Sequence, residues 1–163
     1  MDVFSLDQRS GIMRKVRSTD TAPEKLVRGL LHACGYRFTL SNKNLPGKPD
    51  IVLPKYKTVI FVHGCFWHRH KGCSAASMPQ SNIEYWRKKF SGNEKRDRRV
   101  KRELRQLGWR VCIVWECQTK FPQKLIARFK KLQNSVHHYE NYTEDQVCMA
   151  AEDSTVYKGK KKD

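Results

Sequence analysis

Residues 65–73 read Cys-Phe-Trp-His-Arg-His-Lys-Gly-Cys, directly after the apolar run Val59-Ile60-Phe61-Val62 and the pair His63-Gly64. Cys65, His70 and Cys73 are three soft or borderline metal ligands within nine residues, the spacing of a zinc site. Cys117 could close the tetrahedron, with Cys112 or His68 as alternative fourth ligands. With all four positions filled the site would be structural and would staple the loop to the rest of the chain. His68 has a second possible use, because a neutral imidazole beyond a strand end can take a proton from water. His63 could orient a phosphate or assist that base. Upstream, Asp50 leads into Ile51-Val52-Leu53 as a hard oxygen ligand suited to Mg²⁺. Carboxylate and histidine at the ends of adjacent strands imply metal-assisted cleavage of a phosphodiester.

The overall charge agrees with a polyanionic substrate. Lys and Arg number 33 against 16 Asp and Glu, for a formal net charge of +17 over 163 residues. Nucleic acid is the favoured partner. No run approaches the roughly 20 apolar residues of a membrane span. Met1-Asp2-Val3-Phe4 has neither the basic nor the apolar region of a secretory signal, so a cytosolic protein is expected. In that compartment the six cysteines stay reduced, which favours a metal site over disulfides.

The elements that must position these groups can be read along the chain. Residues 1–20 form a polar, basic arm that includes Met13. Thr21-Ala22-Pro23-Glu24 has the capping-box pattern, Leu26, Leu30 and Leu31 keep helical spacing, and Gly35 ends the helix. On this reading Glu24 is a helix cap. Tyr36–Leu40 alternates as a strand. Asp50–Leu53 and Thr58–Val62 form a hairpin of buried strands across Pro54-Lys55-Tyr56-Lys57. Residues 64–81 are an irregular insert that needs a function or a staple.

A helical stretch spans Asn82–Leu107, broken near Ser91-Gly92. It turns Val100, Leu104 and Leu107 inward and a basic face with Arg96, Arg98 and Arg99 outward. Gly108 ends it, residues 109–115 form a buried strand with Cys112 in the core, and Phe121-Pro122 opens a last helix to about Leu132. Phe66, Trp67, Tyr85 and Trp86 are aromatics suited to a DNA surface, where such wedges enter between base steps. The order of elements predicts an α/β fold, a mixed β-sheet flanked by helices. Its domains are a DNA-contacting arm (1–20), a catalytic domain (21–135) and a C-terminal extension (136–163) with a disordered basic tail.

Four motifs in unbroken order carry a resemblance. Residues 45–50 (LPGKPD), 59–68 (VIFVHGCFWH), 93–99 (NEKRDRR) and 107–117 (LGWRVCIVWEC) resemble the very short patch repair (Vsr) endonucleases of bacteria, over about Met13 to Cys117. The resemblance implies a restriction-endonuclease-like core with a structural zinc site. It implies a Mg²⁺-dependent endonuclease that nicks one strand 5′ to the T of a T·G mismatch left by 5-methylcytosine deamination.

By position, Asp50 would hold Mg²⁺ with the main-chain carbonyl of Val62, His68 would be the general base, His63 would assist, and Glu24 would sit near the metal waters. Zinc would lie on Cys65, His70, Cys73 and Cys117. Phe66, Trp67 and Trp86 would intercalate, Met13 would enter from the opposite groove, and Lys48, Arg96, Arg98 and Arg99 would contact DNA. Val62 stands where some relatives carry Thr, which leaves a main-chain ligand unchanged. Where the wider superfamily has an acid and a lysine on its second strand, this chain has Phe61-Val62-His63, so histidine chemistry replaces the lysine. Partners would be mismatched double-stranded DNA and repair proteins, with the chain a monomer on the bacterial nucleoid. Two alternatives stand beside this one: a restriction-type enzyme on matched duplex, and a zinc-stapled DNA-binding module without catalysis.

Overall fold

The computed structural model describes residue 11, residues 19–40 and residues 43–139. Met13, most of the arm and the extension from residue 140 lie outside the described residues. Helix α1 spans Ala22–Ala33. Thr21 caps it, its Oγ1 accepting from Glu24 N at 3.4 Å, and Pro23 occupies the first turn, where a missing N–H costs nothing. At the other end Gly35 takes φ +81° and Tyr36 N donates to Leu31 O at 3.0 Å, which satisfies a terminal carbonyl.

Strand β1 is only Thr39–Leu40, both exposed, rather than the whole of 36–40. Tyr36 is drawn out of the strand because its ring is buried and its hydroxyl donates to Phe129 O at 2.6 Å. Strands β2 (Ile51–Leu53) and β3 (Thr58–His63) are antiparallel, with Ile51 opposite Ile60. A short 3₁₀ turn over Pro54–Tyr56 joins them. Helix α2 runs Ile83–Gln106, and β4 (Arg110–Trp115) returns parallel to β3, with His63 opposite Trp115. Helix α3 covers Pro122–Tyr139, past the end expected at Leu132. The sheet order is β1-β2-β3-β4, so the α/β reading with a mixed, helix-flanked sheet holds.

Alternation along the strands divides the core in two. Ile51, Leu53, Ile60, Cys112 and Val114 pack against Val27, Leu31 and Tyr36 and against Leu125 and Phe129 of α3. Val52, Val59 and Phe61 face the other way, onto Val100 and Leu104 of α2. By the same alternation His63 falls on the α2 side.

Two expectations for α2 need correction. The helix does not break at Ser91-Gly92. An interior glycine costs about 1 kcal/mol relative to alanine, and burial of Phe90, Val100 and Leu104 along the same helix outweighs that. Leu107 is not inward either. It caps the helix and is 56% exposed, because the chain turns away at Gly108, φ +73°. Among the described residues no helix is long and apolar enough to cross a membrane.

Candidate active site and metal centre

Asp50 enters the site through a tight approach of its turn to α2. Gly47 has φ +72°, and a Cβ there would lie 2.4 Å from Val100 Cγ1, so only glycine lets the 45–50 turn close on the helix. Asp50 Oδ2 then accepts from Val62 N at 2.7 Å and ties the start of β2 to β3. Burial, with Glu24 adding to it, raises this carboxyl to about 6 against the Val62 N–H and the charges of Arg28 and His68. A carboxylate so desolvated is poised for a cation.

His63 ends β3 and is buried, 7% exposed. Burial, then the charge of His68, lowers it to about 3, so it is a neutral imidazole. Its Nδ1 has no hydrogen-bond partner among the described residues. Its ring stacks on His68, centroids 3.7 Å apart and planes 14° apart. His68 in turn contacts Asp97 Oδ2 through Nδ1 at 2.5 Å. Burial acts to raise Asp97, but the His68 hydrogen bond and the His68, His63 and Arg96 charges outweigh it and hold the carboxyl below the usual range. An ionised carboxylate only accepts, so Nδ1 carries the proton and Nε2 is the basic nitrogen.

Asp50, His63, His68 and Asp97 line one cavity of about 480 Å³, with Glu24, Lys48, Arg96 and Lys101 also on its wall. Glu24 is both a cap and a cavity residue. Its Oε2 accepts from Asp20 N at 3.0 Å and Arg28 at 3.1 Å, and its Oε1 from the Thr21 hydroxyl at 2.8 Å. The reach is therefore to Asp20 N, one residue before the capping-box position.

The insert after β3 winds through successive turns, with His68 N donating to Gly64 O, His70 N to Cys65 O and Cys73 N to His70 O. These bring Cys65, His70 and Cys73 together with Cys117 from the 3₁₀ turn after β4. His70 Nδ1 lies 3.5 Å from Cys65 Sγ and 3.3 Å from Cys117 Sγ. Tetrahedral zinc with ordinary bond lengths separates sulfur and nitrogen ligands by about 3.5 Å, so the donor set fits that ion. Burial, together with hydrogen bonding to its sulfur neighbours, pushes the Cys65 thiol up to about 12, a cost that a bound dication would reverse. Cys112 stays in the core and His68 is committed to Asp97, so neither joins the cluster.

Phe66, Trp67 and Trp86 gather on Phe90 of α2, with Phe66 5.2 Å from each of the other three ring centroids. Phe90 is buried, the other three are half-exposed, and Tyr85 stands 59% exposed beside Trp86. Asn93 Nδ2 donates to Trp67 O at 2.9 Å and holds the aromatic loop to the helix.

A family model described as DNA mismatch endonuclease Vsr matches residues 1–74. The type II nicking enzyme V.XorIIP of Xanthomonas oryzae pv. oryzae is 47% identical over 131 residues, 80% of this chain and 96% of that protein. The DNA mismatch endonuclease Vsr of Escherichia coli is 44% identical over 124 residues, 76% of this chain and 79% of that one. The type II nicking enzyme V.NmeAIP of Neisseria meningitidis is 45% identical over 127 residues. The chain belongs to the Vsr family of DNA mismatch endonucleases.

Within this Vsr chain, Lys48 and Arg96 reach the cavity of Asp50, whereas Arg98 and Arg99 do not. Arg98 borders a separate basic depression with Lys101, Arg102 and Arg105, and Arg99 pairs with Glu103 at 3.6 Å. Two residues escaped the sequence reading. Asp97 had no role beyond its place in the 93–99 motif, yet it falls seven residues after Phe90 and three before Val100, on the buried face. A charge on an apolar face was the available signal. Glu116, whose Oε2 accepts from Cys65 N at 3.3 Å, carried no signal, because that contact joins the ends of two paired strands 51 residues apart in the chain.

Proposed function

We propose that this Vsr-family endonuclease nicks one strand of a duplex 5′ to the T of a T·G mismatch and so initiates short patch repair. One observation carries the reading: an imidazole held at Nδ1 by Asp97, with Nε2 left free, shares a cavity with the desolvated carboxylate of Asp50. Of the two alternatives, the binding module fares worse against it, since it would leave both groups without work; the restriction-type enzyme would use the same two groups and differs in the duplex it cuts. The names of the relatives, which include nicking enzymes, support a single-strand cut. A hairpin followed by a parallel strand, flanked by helices, is consistent with a restriction-endonuclease-like core.

In this mechanism His68 takes the proton of the attacking water at Nε2, and the Asp97 carboxylate stabilises the imidazolium. His63, held neutral, supports the His68 ring and assists in orienting the phosphate with Lys48 and Arg96. Asp50 and the Val62 main-chain carbonyl are hard oxygen donors and would hold Mg²⁺. When bound, that ion would supply charge stabilisation at the phosphate. Glu24 orders water on the same wall. Cys65, His70, Cys73 and Cys117 would hold a structural Zn²⁺ that keeps the His68 loop in place.

Phe66, Trp67 and Trp86 enter between base steps, Met13 enters from the opposite groove, and Arg98 and Arg99 contact phosphates outside the cavity. The protein acts as a monomer on DNA of the bacterial cytoplasm.

End-labelled duplexes differing by one T·G mismatch, incubated with Mg²⁺, test this directly. A nick confined to the T strand is expected, absent in Asp50→Ala, which still binds. Cutting of matched duplex would make the protein a restriction-type enzyme, and full activity of Asp50→Ala would refute the assigned centre.

A further inference from the structure

Helix α2 carries a glycine in its interior that neither the fold nor the backbone requires. Gly92 is helical, with no positive φ, and a Cβ built on it meets no atom within 4 Å. Alanine would fit, and would strengthen the helix by lowering the backbone entropy lost on folding. Gly47 and Gly64 differ, since a Cβ there would meet Val100 at 2.4 Å and Trp67 at 3.2 Å. Gly29 of α1 is as open as Gly92, so what sets Gly92 apart is the surface around it.

Over Gly92 lies a shallow depression of about 360 Å³, whose other walls are Tyr85, Lys88, Lys89 and Asn93. These five positions share one face of the helix by their spacing. The face is continuous with the cutting site, because Lys89 and Asn93 also line a cavity with His68 and Trp67. It offers two ammonium groups, an exposed aromatic and no acid, which complements a polyanion. An α-helix fits the major groove of DNA, and a bare Cα is where its backbone can come nearest.

We propose that Gly92 is the point of closest approach of α2 to the duplex, so that Tyr85 and Lys88 reach the base pairs flanking the mismatch. Gly92 is then a specificity-determining position, and the assignment rests on the reading of the site as a DNA-nicking centre. It goes beyond that reading by placing sequence preference on a helix face rather than in the catalytic cavity.

Gly92→Ala and Gly92→Leu in the full chain test it, with Ser91→Ala as a neighbour that is exposed and lines neither cavity. Thermal unfolding, binding to a fluorescent T·G duplex without divalent cation, and nicking across varied flanking pairs are compared. Gly92→Ala should melt higher, by roughly 2–4 °C. It should also bind about tenfold more weakly, raise KM with little change in kcat, and discriminate less among flanks. Gly92→Leu should bind more weakly still, and Ser91→Ala should bind as the wild type does. A Gly92→Ala protein that binds and discriminates like the wild type would overturn the proposal, as would one that melts lower. If the wild type fails to nick mismatched duplexes, the proposed function falls, while the binding comparison still decides the role of Gly92.

Discussion

The Asp97 carboxylate meets His68 Nδ1 at 2.5 Å, joining the middle of α2 to the loop that follows β3. The contact assigns the proton to Nδ1 and leaves Nε2 free, the nitrogen that acts as the base in the proposed mechanism. His68→Ala should therefore slow single-turnover nicking by about 10²–10⁴. Asp97→Asn should lose a smaller but still large factor, since the amide can hold the wrong tautomer. DNA binding should change little in both. An Asp97→Asn enzyme within twofold of wild type would remove Asp97 from the mechanism.

Asp50 stores instability in the metal-free protein. Its folded value near 6 lies above the ordinary 3.8, so the fold favours the protonated form and loses stability as pH rises through that window. Asp50→Asn removes the charge while keeping an acceptor for Val62 N. At pH 7.5 without divalent cation it should be more stable by about 1–3 kcal/mol, with the gain gone below pH 3.8. It should not nick. Equal melting temperatures at neutral pH would contradict this.

His63 acts in the opposite direction. The unfolded chain takes up a proton near 6.5 and the folded one only near 3, so stability falls as pH drops between those values. Replacing it with a group that does not titrate, as in His63→Gln, should flatten the acid limb of the stability curve by about 1–2 kcal/mol between pH 6.5 and 5. Urea melts at several pH values measure the slope, and an unchanged slope would show that His63 titrates alike in the folded and unfolded chain.

The four-ligand cluster predicts one tightly held zinc per chain. Cys117→Ala should lose the metal by elemental analysis and destabilise the protein by about 3 kcal/mol or more. Cys112→Ala, a core change, should keep the metal. Retention of zinc by Cys117→Ala would exclude this ligand set.

Much of the local structure was legible because its causes are local. Thr21 and Pro23 start α1, Gly35 and Gly108 end two helices, and the β-branched runs 51–53 and 58–62 are strands, since capping and period-2 alternation act within a few residues. The unbroken α2 was not legible at Gly92, because propensity there yields to burial of Phe90, Val100 and Leu104 against distant partners. Tyr36 looked like strand until its hydroxyl found Phe129, 93 residues away.

The same division runs through the site. The sequence by itself determined which groups are available: Asp50 and His63 at strand ends, and Cys65, His70 and Cys73 at ligand spacing. Only the tertiary structure decided their partners. Parallel pairing of β3 with β4 carries Cys117 to His70 across 47 residues, and the seating of α2 on the sheet through Val100 and Leu104 carries Asp97 to His68 across 29. Helix and strand propensities act over a few residues, whereas these separations are set by how apolar faces pack.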